Sequence, residues 1–260
     1  MLIPLSVFKN YTMGQRWIKY DSVTSTNSVL SQLARQEHAE LETIVMADYQ
    51  DAGRGLGSHS WHSEKGKNLL MSLLLYPAFL SASSQFQLSK VASLALSDAA
   101  EALGIHPVIK WPNDILTEKG KLAGILIEHS IAASWIRHSI TGLGLNLNQT
   151  AFPPFPVPAT SVKLETGQDT DVDETARLVA DCFMKRYGYL KEGNAGALDR
   201  AYSERLFRAG IPSRFGSGDK RFTGIIRGVN ESGELVVEHG GRNRVYGHGA
   251  IRLEEGPGTF

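Results

Sequence analysis

Asn68-Leu69-Leu70-Met71-Ser72-Leu73-Leu74-Leu75-Tyr76 is apolar at every interior position but Ser72. Such a continuous run is expected of a strand buried on both faces. Leu88, Val91, Ala92, Ala95, Leu96, Ala99 and Leu103 follow at helical spacing and trace one apolar face that ends at Gly104. Upstream, Thr43 to Tyr49 is β-branched and aromatic and reads as a strand. It runs into Gly53 to Gly57, which is too glycine-rich for a strand interior. Earlier still, Ser25-Thr26-Asn27 precedes Val29, Leu30, Leu33 and Ala34, so a helix is expected from near Thr26. Downstream, Val108 to Trp111, Leu122 to Glu128 and Trp135 to Leu147 read as strands around turn segments. The expected class is α+β, a mixed β-sheet with flanking helices.

Beyond the sheet, Pro153, Pro154, Pro156 and Pro158 make residues 151–159 an extended surface connection. Helices are expected over Asp173 to Leu190 and Ala195 to Arg208. From Ile211 the texture changes to short β segments, Phe222 to Val229, Leu235 to His239 and Arg244 to Tyr246. Gly233 and Gly240-Gly241 separate them, as in a small barrel of hairpins. Two units are therefore expected, residues 1–209 and 210–260.

At 260 residues and 42% hydrophobic side chains, the chain can bury one substantial core plus a small appendage. Its 27 Lys and Arg balance 27 Asp and Glu, so no global field attracts nucleic acid or an acidic membrane face. Any anion site must be local. One cysteine, Cys182, excludes an internal disulfide and a cysteine-rich zinc site and suits a reducing cytoplasm. Residues 1–20 lack the pattern of a signal peptide, and no stretch approaches a membrane span. A cytoplasmic protein with no nucleic-acid or membrane partner is expected.

Four clusters carry candidate chemistry. Gly53-Arg54-Gly55-Leu56-Gly57 lets backbone N–H groups approach an anion, with Arg54 adding a forked, permanently charged donor. It reads equally as a surface turn with a solvated arginine, and it is not a phosphate-binding P-loop. Lys110-Trp111-Pro112-Asn113-Asp114 places a lysine, an indole, an amide and a carboxylate at a strand end; ordinary turn chemistry with a core tryptophan is the alternative. Lys121 enters the apolar strand Leu122 to Ile127, where Gly124 makes room for close backbone approach, so its charge either reaches solvent or awaits a ligand. In Gly142 to Asn148, alternation puts Gly142, Gly144, Asn146 and Asn148 on one face, a pocket floor or simply an exposed sheet face. The eight histidines show no metal-ligand spacing and read as surface or loop residues, and no metal ligand is assigned. Cys182 reads as packing.

Taken in order, Ser25-Thr26-Asn27, Gln50 through Gly55 with Trp61, Lys110 through Asp114, Lys121 through Leu126 and Gly142 through Asn146 resemble the biotin protein ligase family. The resemblance spans roughly residues 20–255. It implies a class II synthetase-like catalytic domain over 1–209 and an SH3-like domain over 210–260. About twenty residues precede the first motif, too few for the helix-turn-helix domain of members that also repress transcription, so it implies the monofunctional form. The implied reaction joins biotin and MgATP into biotinyl-5′-AMP and then transfers the acyl group to a lysine of a biotin carboxyl carrier protein. ATP, Mg2+ and biotin are the implied small molecules, and a homodimer is a candidate assembly.

By the same resemblance, Ser25, Thr26, Asn27 and Gln50 bind biotin, with Gly53, Arg54, Gly55, Lys121 and Gly124 around biotin and the adenylate. Trp111, Asn113, Gly144 and Asn146 lie by ATP. Arg54, Lys121 and Asp114 are the implied catalytic residues, Asp114 taking the proton of the incoming ammonium. The glycine loop is expected to order over the adenylate. One departure stands out: the family loop usually has a second Arg or Gln where Leu56 stands, and backbone N–H groups of Gly55 to Gly57 are the expected substitutes. A lipoate or octanoate ligase and a non-catalytic biotin-responsive regulator are the competing readings.

Overall fold

The computed structural model describes residues 6–11, 15–36 and 42–254. Strands β1 (Ser6–Tyr11) and β2 (Gln15–Val23) lead into helix α1 (Thr26–Gln36), and β3 (Thr43–Gln50) and β4 (Leu69–Leu75) follow. Helix α2 (Phe86–Ala102) precedes β5 (Val108–Lys110), β6 (Asp114–Thr117), β7 (Gly120–Ala132) and β8 (Trp135–Leu145). These eight strands form one sheet in the order β1-β2-β3-β4-β8-β7-β6-β5. β2 and β3 run parallel and the other neighbours antiparallel, so the sheet is mixed.

Every residue of β4 is buried, because helices cover both faces of the sheet. Alternation sorts the side chains. Ile44, Met46, Leu69, Met71 and Leu73 join the core beneath α2 and the later helices α4 (Val172–Lys191) and α5 (Ala195–Glu204). Val45, Ala47 and Leu74 point the other way, toward Val29 and Leu30 of α1. Asp98 of α2 takes Arg186 of α4 in a bidentate pair at 2.7 and 2.8 Å, and buried Lys90 of α2 meets Asp199 of α5 at 2.7 Å. Helix α1 covers only part of its face, which leaves β7 and β8 open beside its first turn.

Several elements differ from expectation. The sequence showed no element before Ser25, yet β1 and β2 extend the sheet, with Trp17 and Ile18 of β2 buried on opposite faces. Pro112-Asn113 turns the chain as foreseen, but Asp114 immediately begins β6, opposite Lys110. Short α3 (Val162–Thr166) was not foreseen; Ser161 caps it by accepting from Leu164 N at 3.2 Å, and Gly167 ends it at φ 78°. Helix α5 stops four residues before Arg208 because Arg205 to Phe207 swing alongside Ile109, exchanging backbone hydrogen bonds of 2.7 and 2.8 Å with it.

The C-terminal β unit is a five-stranded antiparallel sheet of β9 (Pro212–Ser217), β10 (Lys220–Val229), β11 (Leu235–His239), β12 (Arg242–Tyr246) and β13 (Arg252–Leu253), ordered β12-β11-β10-β9-β13. This arrangement is consistent with an SH3-like domain, although among the described residues no pairing joins its two edge strands into a closed barrel. Its apolar side chains Phe215, Ile226, Leu235 and Val237 belong to the same buried cluster as α2 and the large sheet. No helix among the described residues is long and apolar enough to cross a membrane.

His129 corrects the reading of the histidines as surface groups; His38 lies outside the described residues. His129 Nδ1 is buried without a hydrogen-bond partner among the described residues, and burial pushes its imidazole down from 6.5 to about 4. Between those values the unfolded chain holds a proton that the folded chain refuses, so stability rises with pH across this window. We expect at most about 3 kcal/mol, present above pH 6.5 and lost as pH falls toward 4. Denaturant melts from pH 4 to 7 should show that acid slope flattened in His129→Gln; an identical slope would assign it to other groups.

Candidate functional site

Strand β3 delivers Gln50 to the start of α1, where the first backbone N–H groups have no partner within the helix. Gln50 Oε1 accepts from Thr26 N at 2.8 Å and Thr26 Oγ1 at 3.0 Å. Ser72, the one polar interior residue of the opening stretch, is fully buried and lies 2.7 Å from Thr26 Oγ1 and 2.6 Å from Asn27 Oδ1. Asn27 Nδ2 donates to Glu128 Oε2 at 2.8 Å and Leu126 O at 3.3 Å. Glu128 also receives Arg54, Nη1 to Oε1 at 2.9 Å and Nη2 to Oε2 at 2.7 Å. One chain of polar contacts thus runs from Gln50 to Arg54.

The glycine loop is a small hairpin. Gly55 N donates to His59 O at 2.7 Å, Trp61 N donates to Gly53 O at 2.9 Å, and Arg54 bridges to Ser60. The hairpin lays the Trp61 indole on the sheet, over Gly124 and Gly144, which face each other across β7 and β8. A methyl group at Gly144 would sit 2.5 Å from Trp61 Cε2, and one at Gly124 2.9 Å from Cζ3. Gly142 plays the same part for Asn27, whose Oδ1 would be 2.4 Å from a Cβ there. Trp61 Nε1 is buried with no hydrogen-bond partner among the described residues, a donor whose neglect costs about 1–3 kcal/mol.

Positive charge gathers at the far end of the cleft. Lys121 Nζ stands 2.6 Å from Asp114 Oδ1 and 5.5 Å from the centre of the Trp61 ring. Lys110 faces Asp114 across the β5–β6 pairing. Burial lowers the Lys110 pKa, with Lys121 adding repulsion and Asp114 opposing both. Asn113 exchanges two 2.9 Å hydrogen bonds with the backbone of Ile125 on β7. Trp111 Nε1 donates to Gly233 O at 2.9 Å, which ties this turn to the C-terminal sheet.

These groups line a cleft of about 510 Å³. It brings together Ser25, Thr26, Asn27, Gln50, Arg54, Gly55, Trp111, Asn113, Asp114, Lys121, Gly124 and Gly144, as well as Leu56. Two expected residues stand apart. Gly53 is buried behind the wall, where a Cβ would meet Trp61 O at 2.5 Å. Asn146 lies beyond the end of β8, buried, with Nδ2 donating to Thr160 O at 2.9 Å and Lys121 O at 3.4 Å, so it supports the strand entry of Lys121 rather than lining the cleft. The N–H of Gly55, expected to compensate for Leu56, is already engaged by His59 O.

The sequence reading missed the roles of Ser72 and Glu128, which join the wall residues, and the cleft-lining His248 and Arg252; Lys110 was read within its motif but given no role of its own. Ser72 had a signal, as a lone polar residue in a buried strand. His248 and Arg252 had none, since they reach the cleft only because the second sheet packs beside it.

A model of the biotin/lipoate A/B protein ligase family matches residues 19–146. The chain is 34% identical over 235 residues to the bifunctional ligase/repressor BirA of Bacillus subtilis, covering 88% of this chain and 71% of that protein. It is 35% identical over 201 residues to the biotin--[acetyl-CoA-carboxylase] ligase of Paracoccus denitrificans, covering 74% and 82%. Among solved structures, the biotin protein ligase from Aquifex aeolicus in complex with biotin and ATP aligns with a TM-score of 0.76 and 26% identity, over 92% of this chain and 98% of that one.

The contact between Gly144 and the indole is testable alone. Gly144→Ala is expected to keep the cooperative melt but displace Trp61, shifting its indole N–H resonance, assigned through Trp61→Phe, and speeding its exchange with solvent. An unmoved resonance would contradict the packing.

Proposed function

The chain belongs to the biotin/lipoate A/B protein ligase family, among its biotin ligases, and from this premise we propose that it adenylates biotin with ATP and biotinylates a lysine of a biotin carboxyl carrier protein. In the first step a biotin carboxylate oxygen attacks the α-phosphate, giving biotinyl-5′-AMP and pyrophosphate. In the second, the acceptor amine attacks the acyl carbon and AMP leaves.

One observation carries the reading: a neutral hydrogen-bonding wall and a cluster of fixed cations share one cleft. The ureido head of biotin is uncharged and rich in donors and acceptors, and it calls for partners such as Thr26, Asn27 and Gln50. The reacting end is the opposite case. Bringing a carboxylate onto a phosphate joins two anions, so fixed positive charge must offset the repulsion and the charge that develops in the transition state. Arg54 and Lys121 are the donors assigned to this work, each worth about 3–4 kcal/mol by analogy with oxyanion donors. Trp61, resting on the glycine floor, is positioned to cover the ligand, and the hairpin to shield a mixed anhydride from water.

The second step needs a neutral amine, whereas a free lysine titrates near ~10.4. Asp114 is the group assigned to take that proton; its present partner is Lys121 at 2.6 Å, so engagement of Lys121 by the adenylate frees the carboxylate for the acceptor. Mg2+ does not find a protein cage here. Among the described residues no group of three or more His, Cys, Asp or Glu could hold a metal, and Asp114 and Glu128 are each paired with a cation. The ion is assigned to the nucleotide, since Mg2+ in such sites ordinarily keeps several waters and binds substrate phosphates with at most one or two carboxylates.

The proposal is tested by pyrophosphate exchange into ATP with biotin and, separately, with lipoate, followed by mass measurement of a carrier domain after incubation with biotin, ATP and Mg2+. Exchange with biotin and one added biotin per carrier are expected; exchange with lipoate alone would overturn the substrate, and an unmodified carrier would overturn the transfer. Lys121→Ala and Arg54→Ala are each expected to slow adenylation about 10²- to 10³-fold with unchanged melting temperature. Wild-type rates from either would remove it from the charge-stabilising role.

A further inference from the structure

Glu128 has no part in the reaction as written, yet three donors from two places converge on it. Asn27 comes from the buried start of α1, 2% exposed, and Arg54 from the hairpin. With side-chain exposures of 44% for Arg54 and 39% for Glu128, the ion pair contributes little to folding, so stability does not account for it. Its geometry does something more specific. The guanidinium spends one N–H of each Nη on the carboxylate, which leaves Nε–H and the two outer N–H groups aimed elsewhere.

The same carboxylate accepts only, so it forces Asn27 to present Nδ2 toward β7 and Oδ1 toward Ser72. That choice makes Ser72 Oγ donate to Asn27 Oδ1 and accept from Thr26 Oγ1, while Thr26 N supplies the donor to Gln50 Oε1. One fixed charge therefore governs both the neutral wall and the loop cation.

We infer that Glu128 is a positioning residue that couples the wall around Asn27 to Arg54, so that occupancy of the head-group end and closure of the hairpin over the adenylate occur together. This rests on the biotin ligase reading. Glu128 itself touches neither reacting atom; it acts through its two partners. Loss of its charge leaves Asn27 Nδ2 with only the longer bond to Leu126 O at 3.3 Å and releases Arg54 from the sheet, and both ends of the cleft then loosen.

The test uses the full chain with ATP and biotin. Biotin affinity is measured by calorimetry, and adenylate retention by the rate at which preformed biotinyl-5′-AMP escapes to a trap. Glu128→Gln is expected to weaken biotin and to shorten retention, each about tenfold, as coupled neighbours do. In an Arg54→Ala background it should still weaken biotin, through Asn27, but should not shorten retention further. Glu128→Asp, which keeps the charge but withdraws it by one methylene, should recover part of both losses.

Wild-type affinity and retention in Glu128→Gln would overturn the inference. So would losses in retention that add fully to those of Arg54→Ala, or a Glu128→Asp variant no better than Glu128→Gln with both merely melting earlier. A wild-type chain that forms no adenylate in the same assay would instead sink the biotin ligase reading.

Discussion

Facing glycines on adjacent strands are the constraint on which the cleft depends. A sheet normally fills its face with side chains, and helices pack upon them; here Gly124, Gly142 and Gly144 remove that layer over β7 and β8. Space opens where α1 does not reach. Into it come the Asn27 side chain from one side and the Trp61 indole from the other, at distances that no Cβ would permit. The backbone itself forms the floor, which keeps the floor rigid, since a strand paired on both sides has little freedom to yield.

On that floor the site separates two kinds of chemistry that would otherwise interfere. Neutral donors and acceptors gather at the start of α1, while Lys110 and Lys121 stand near the β5–β6 turn. The one charge that meets the neutral groups, Glu128, bonds Asn27 and sets its direction, and the cations need carboxylate neighbours until a ligand replaces them. Asp114 serves Lys121 in this way and Glu128 serves Arg54. Each cation is held in place by an acceptor that fixes its direction without enclosing it, which suits groups that must meet a substrate anion without first reorganising.

The second sheet is part of this arrangement. Its apolar residues merge with the main core, Trp111 is anchored on Gly233 O, and His248 and Arg252 reach the cleft. The motif at Lys110 to Asp114 therefore owes its shape to residues more than a hundred positions away. Its two-unit appearance in sequence corresponds to two sheets, while the buried core runs through both.

Local pattern made much of this legible. The continuous apolar run of β4, the helical spacing in α1, α2 and α4, and the proline connection each obey rules that operate over a few residues, so Leu69–Leu75 or Phe86–Ala102 could be read nearly to their ends. The order of the motifs, through their resemblance to the biotin protein ligase family, likewise marked Thr26, Gln50, Arg54, Asp114 and Lys121. β1, β6 and α3 escaped because they are short and owe their existence to a neighbour or a cap, and the longer β2 was missed as well. Asn146 stands apart from the cleft because it follows the last paired residue of β8, Leu145, and its side chain turns to Thr160 O. By itself the sequence determined the α+β class, the order of its longer apolar strands and helices from Thr26 onward, and the residue types of the site. Tertiary structure alone decided that Ser72 and Glu128 join Gln50 to Arg54, that Nδ1 of His129 is buried, and that His248 and Arg252 enter the cleft. Hydrogen bonds and burial depend on distance in space, and strands far apart in sequence become neighbours only when the sheet assembles.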